Sequence, residues 1–207
     1  MPTVRQEMTT RTSENDLLLK GLKCAAVAIL FAACGGWSAL FCLPHFPDGP
    51  GSLPYLFPVP FTLLCAILFL PSVQALCALP MPVVWLIAYF AANFAGMSSG
   101  DARLPGCVGG LVGALGLVLC VSIGYPPFWL KRFAVGGLVG LISALPFASW
   151  VQAYHATDFN RGPAANPPAP TYAFAIWQAS MGTYLYLLSR ARPSLEEQDT
   201  VVTRLEL

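Results

Sequence analysis

Asp101 lies in Gly96-Met97-Ser98-Ser99-Gly100-Asp101-Ala102-Arg103-Leu104 and Asp48 in Phe46-Pro47-Asp48-Gly49-Pro50-Gly51-Ser52-Leu53-Pro54, each at the margin of a long apolar stretch. Two carboxylates that share a proton can serve as base and acid on a water attacking a peptide bond, so Asp48 and Asp101 form the candidate catalytic pair. Asn93 and Gln178 are amides near the middle of apolar segments. They are expected to face inward, as a ligand or permeation site or as interhelical glue contributing about 0.6 kcal/mol per hydrogen bond. Trp177, Tyr184 and Tyr186 could line a pocket beside Gln178. His45 and His155 lack the fixed helical spacing of a metal pair, and no metal or cofactor is expected. Cys24, Cys34, Cys42, Cys65, Cys77, Cys107 and Cys120 fall in or beside apolar segments with no C-x-x-C pair, which reads as small buried hydrophobes rather than a disulfide framework. No G-x-S-x-G, H-E-x-x-H, phosphate loop or dinucleotide fingerprint is present.

The run Gly96–Leu104 resembles the G-x-G-D signature of the type IV prepilin peptidases, with Ser98 at the first glycine of the motif. The resemblance covers those nine residues and implies a membrane aspartic peptidase with a cytoplasmic site. Asp101 would be the motif aspartate and Asp48 the second one, although Asp48 has no basic neighbours.

The elements that must position these residues are membrane helices. Gly49 to Gly100 is a run of 52 residues without a charged side chain. Of the 21 Asp, Glu, Lys and Arg residues, 14 crowd into 1–23 and 190–207. A hydrocarbon core about 30 Å thick takes roughly 20 helical residues at about 1.5 Å each, and the uncharged stretches 24–47, 104–130, 133–157 and 162–189 reach that length. The expected fold is all-α and polytopic, with six spans near 24–43, 56–78, 83–99, 104–124, 133–153 and 171–188, between polar tails 1–23 and 190–207. Leu79-Pro80-Met81-Pro82 is the expected turn inside the proline-rich segment 54–99. Ile29-Leu30-Phe31-Ala32-Ala33-Cys34 has the outline of a lipoprotein cleavage box, but the apolar run continues through Cys42, as a retained span does.

Basic residues set the orientation. With six spans and the N-terminus inside, Arg5, Arg11, Lys20, Lys23, Lys131, Arg132, Arg190, Arg192 and Arg204 are cytoplasmic, against Arg103 and Arg161 outside. Merging 54–99 into one span would leave six basic residues inside and five outside, so the positive-inside bias favours six spans with both termini cytoplasmic. That placement puts Asp48, Asp101 and both histidines outside. The proline-rich stretch 161–170 reads as an extended spacer. A multi-pass protein of a bacterial inner membrane is the expected localisation, and a composition 56% apolar leaves no basic surface for nucleic acid.

Gly106, Gly109, Gly110, Gly113 and Gly116 recur along the fourth span, and Gly136 and Gly140 along the fifth, as faces where another backbone can come close. Val-Gly-Gly-Leu-Val-Gly occurs at 108–113 and again at 135–140; in antiparallel neighbours the copies cannot meet at matching depth. Trp85, Tyr125, Trp129, Trp150 and Tyr172 read as interfacial anchors. The expected partners are the lipid bilayer and other membrane subunits, or a second copy through the glycine-rich fourth span. The functional expectation is a small non-enzymatic permease-like or membrane-assembly subunit. Its alternatives are a GxGD-type peptidase using Asp48 and Asp101, and a structural helix-packing partner.

Overall fold

The structure is a computed structural model that describes residues 4–42, 58–69, 73–99, 101, 103–122, 129–158 and 171–190. Those residues are helical apart from short turns and include no strand. In chain order the helices are α1 (Val4–Cys42), α2 (Val59–Phe69), a 3-10 turn (Val73–Ala78), α3 (Met81–Ser99), α4 (Leu104–Ser122), α5 (Trp129–Asp158) and α6 (Thr171–Arg190). Four stretches are long and apolar enough to cross a membrane: Asp16–Ala39, Ala75–Ser99, Leu104–Ser122 and Leu130–Ser149.

In the segment expected as one span at 56–78, the described residues form an α-helix at Val59–Phe69 and a 3-10 turn at Val73–Ala78. Its α-helix covers only 11 residues, about 16 Å, or roughly half a hydrocarbon core. The 3-10 turn that follows joins α3 through Leu79 and Pro80, where Leu79 N–H donates to Leu76 O and Val83 and Val84 N–H both donate to Pro80 O. Prolines at 71, 80 and 82 lack the donors that a continuous helix needs. At the N-terminus the helix begins at Val4, so most of the segment expected as a polar tail at 1–23 belongs to α1. Pro146 lies inside α5 without ending it, as membrane helices tolerate when neighbours re-satisfy the backbone.

Close approach at small residues organises the bundle. On α4, Gly106 faces Ala148 of α5 and Gly110 faces Ala144, while on α5 Gly140 faces Ala114 and Gly136 faces Val118. The two stripes, 106-110-114-118 and 136-140-144-148, each step by four residues and run antiparallel, forming a small-residue zipper. Within it the repeated hexapeptides are staggered, since Gly110 of the first copy lies beside Gly140, the far end of the second. A second face of α4 packs on α3, with Gly109 against Ala92, Gly113 against Ala88 and Gly116 against Val84. Helix α6 runs antiparallel to α1, where Gly35 touches the backbone of Phe174 and Ala175 and the Phe31 ring lies on Gly182.

Counting back from the Phe31–Gly182 contact, Arg190 at the end of α6 is level with about residue 23 of α1 at equal helical rise. The part of α1 before that level projects past α6, and Asp16–Lys23 are exposed there.

A Cβ at Gly35 would come within 2.5 Å of Ala175 backbone and one at Gly106 within 2.7 Å of Ala148 backbone, whereas Gly113 has ordinary contacts at 3.4 and 3.5 Å and Gly21 nothing within 4 Å. Gly35→Ala and Gly106→Ala are expected to destabilise the protein by about 1–3 kcal/mol through overpacking. Gly113→Ala should be tolerated, and Gly21→Ala should be neutral or stabilising by up to about 1 kcal/mol. Denaturant titration of the four variants in micelles checks this ranking.

Candidate functional site

An aromatic column runs through the bundle centre. Phe31 of α1, Phe61 of α2, Trp85 of α3 and Trp177 of α6 have successive ring-centroid separations of 4.9, 5.8 and 4.9 Å. All four rings are buried. Trp85 is therefore an interior residue, which corrects its reading as an interfacial anchor. It sits in the second turn of α3, near a span end in sequence, but the half-length α2 brings Phe61 against it. Phe147 and Phe174, 5.0 Å apart, extend aromatic packing to α5.

Beside this column lies a fully buried polar contact. The Gln178 Nε2 amide donates to Ser38 Oγ at 2.8 Å, and Ser38 Oγ donates to Cys34 O at 3.0 Å. Ser38 and Gln178 both have 0% exposure. The hydroxyl has one proton, given to the carbonyl one turn back, so it meets the amide as an acceptor. Among the described residues Gln178 Oε1 has no hydrogen-bond partner, and neither has the indole N–H of its neighbour Trp177. Ser38 was not singled out in the sequence, although a hydroxyl just after Gly35-Gly36-Trp37 in an apolar span was the available signal.

Asn93 and Gln178 are not brought together. Gln178 points inward at α1, but Asn93 is exposed on α3, with its Nδ2 donating to Tyr89 O at 2.8 Å. The expected inward placement of Asn93 does not hold, because α3 turns Ala88 and Ala92 toward the glycines of α4 and carries Asn93 away from them. Tyr184 and Tyr186 do not hydrogen-bond Gln178. Tyr184 Oη donates to Arg132 O at 2.9 Å, joining α6 to the start of α5, and the Arg190 guanidinium sits 5.6 Å from the Tyr186 ring centroid.

Asp101 is exposed and caps α4: its Oδ1 accepts from Arg103 N–H at 2.9 Å, and its carbonyl accepts from Leu104 N–H at 3.2 Å. A carboxylate here satisfies one free N–H and complements the helix dipole. Asp48 and His45 lie outside the described residues, as does the side chain of His155. Among the described residues no group of three or more His, Cys, Asp or Glu could hold a metal. Cys65 and Cys120 are buried, and Cys24, Cys34, Cys77 and Cys107 are partly buried free thiols.

Comparison of the chain with protein-family models, with curated proteins and with solved structures finds no match.

Two variant sets test these roles. Ser38→Ala removes the hydrogen bond of the buried Gln178 amide N–H and should cost about 1–3 kcal/mol, whereas Gln178→Leu leaves Ser38 bonded to Cys34 O and should be milder. The double variant should recover most of the Ser38→Ala loss, measured as a double-mutant cycle of unfolding free energies. Asp101→Ala should cost about 1 kcal/mol while Asp101→Asn, an equally good cap, stays near wild type. A stability measurement on that pair isolates the capping contribution.

Proposed function

We propose that this chain is a non-enzymatic, multi-pass membrane protein of a bacterial inner membrane, acting as an assembly subunit that presents helix faces to neighbouring membrane proteins. One observation carries the reading: the buried amide Gln178 is engaged with Ser38, so this polar group joins α1 to α6. Around it the interior is packed with aromatic rings, glycine and alanine contacts and aliphatic side chains such as Leu117, Val118, Met181 and Leu185. Large apolar side chains face outward along the rest of the bundle, among them Ile29 and Trp37 of α1 and Phe94 of α3.

The topology we propose has six passes with both tails cytoplasmic. Tyr184 bonds Arg132, and Arg190 Nη2 donates to Leu68 O at 3.4 Å, which gathers Arg132 and Arg190 at the end of the bundle level with Lys23. Asp101 and Arg103 lie at the other end, between α3 and α4. Basic residues concentrated at one end fit the positive-inside bias. In this scheme α2 makes the inner half of the second pass.

A permease-like role is the second reading, favoured by the partnerless Gln178 Oε1, which has an acceptor to offer a solute that donates a hydrogen bond.

Purification from native membranes in a mild detergent, followed by mass measurement, tests the choice. The assembly reading expects a stable complex of this 22.1 kDa chain with at least one different membrane protein. Isolation of this chain alone, together with solute flux in proteoliposomes that Gln178→Leu abolishes, would replace it with the permease reading.

A further inference from the structure

The outward face of α3 has a polar residue where lipid would be the only neighbour. Asn93 is exposed about 9 Å along the helix from Ser99, at roughly 1.5 Å per residue. One amide N–H is used on Tyr89 O, and among the described residues no donor is bonded to Oδ1. Hydrocarbon supplies neither donor nor acceptor, so an outward amide at this depth calls for a partner in another chain.

The residues around it have a helix-pairing pattern. On α3, Val83, Leu86, Phe90, Asn93 and Met97 alternate in steps of three and four, the spacing of one coiled-coil seam, with Asn93 as its single polar member. Val83 is 56% exposed, Phe90 63% and Met97 80%, and Asn93 is exposed among them, while Leu86 is half-buried at the edge of the row. The glycines of α4, by contrast, already contact α3 and α5 within the chain.

We infer that this seam of α3 pairs with the same seam of a second copy of the chain, with Asn93 bonded to Asn93 of that copy across a two-fold axis normal to the membrane. The amide selects the occupant. It is both donor and acceptor, hence complementary to itself, and two copies with the same topology place it at equal depth automatically. A polar residue in an apolar seam then fixes register, since any slip leaves two amides against side chains that cannot bond them. The inference rests on α3 lying in hydrocarbon, as the proposed topology has it, but not on the protein joining any other subunit.

The test uses the full-length chain in lipid nanodiscs or mild detergent, with mass measured over a dilution series. Wild type is expected to form a dimer. Asn93→Leu should weaken dimerisation roughly three- to tenfold, the effect of one or two interhelical hydrogen bonds of average strength. Asn93→Gln should retain it, and Leu63→Ala, on the exposed side of α2, should leave it unchanged. A wild-type monomer at all concentrations, or an Asn93→Leu dimer as tight as wild type, would overturn the pairing. A spin label at Phe94 separates the two failures. Relaxation by lipid-soluble oxygen in the monomeric variant keeps α3 in hydrocarbon and refutes the pairing alone, whereas relaxation by an aqueous nickel chelate refutes the topology on which it rests.

Discussion

Apolar side chains of a membrane helix gain nothing by leaving lipid tails for one another, so the cohesion of such helices depends on how closely they approach. That constraint shapes this structure. The zipper of Gly106, Gly110 and Ala114 against Gly140, Ala144 and Ala148 brings α4 and α5 into backbone contact, and Gly35 does the same for α1 against α6. Small residues at these places replace the hydrophobic driving force with contact distance. Large rings then fill the space between the pairs: the column from Phe31 to Trp177 crosses α1, α2, α3 and α6 and closes the centre of the bundle.

The same constraint governs polar atoms. Away from water an unpaired hydroxyl or amide is costly, and several hydroxyls here fold back on their own helix: Ser98 on Phe94 O, Ser99 on Ala95 O, Ser143 on Val139 O and Ser149 on Leu145 O. The Ser38–Gln178 bond differs in linking two helices far apart in sequence, and so ties α1 to α6. Asn93 differs again, as an amide turned outward with an acceptor to spare. These two amides are alike in sequence and opposite in structure. One holds the bundle together, and the other faces away from it.

Asp101 has a mechanical role in three dimensions. Asp101 stands in a sequence that looks like a catalytic motif, and its carboxylate meets the backbone N–H of Arg103 at the start of α4. Capping and catalysis draw on the same property, a carboxylate at the mouth of a helix, and local sequence does not separate them.

The helical class, the length of the apolar stretches, the turn at Leu79–Pro80 and the small-residue stripe of α4 were legible in the sequence, because each follows from backbone chemistry or from counting residues against a bilayer. The sequence did not determine that α2 would be half-length, that Trp85 would lie inside or that Asn93 would lie outside. The reason is physical. In water, burial separates apolar faces from polar ones and leaves a periodic trace along the chain. In hydrocarbon the inward and outward faces are both apolar, so Phe31 and Phe94 read alike although one is fully buried and the other mostly exposed. Only the tertiary contacts, the glycines of α4 against α3 and α5 and Gly35 against α6, decided which way each helix was turned.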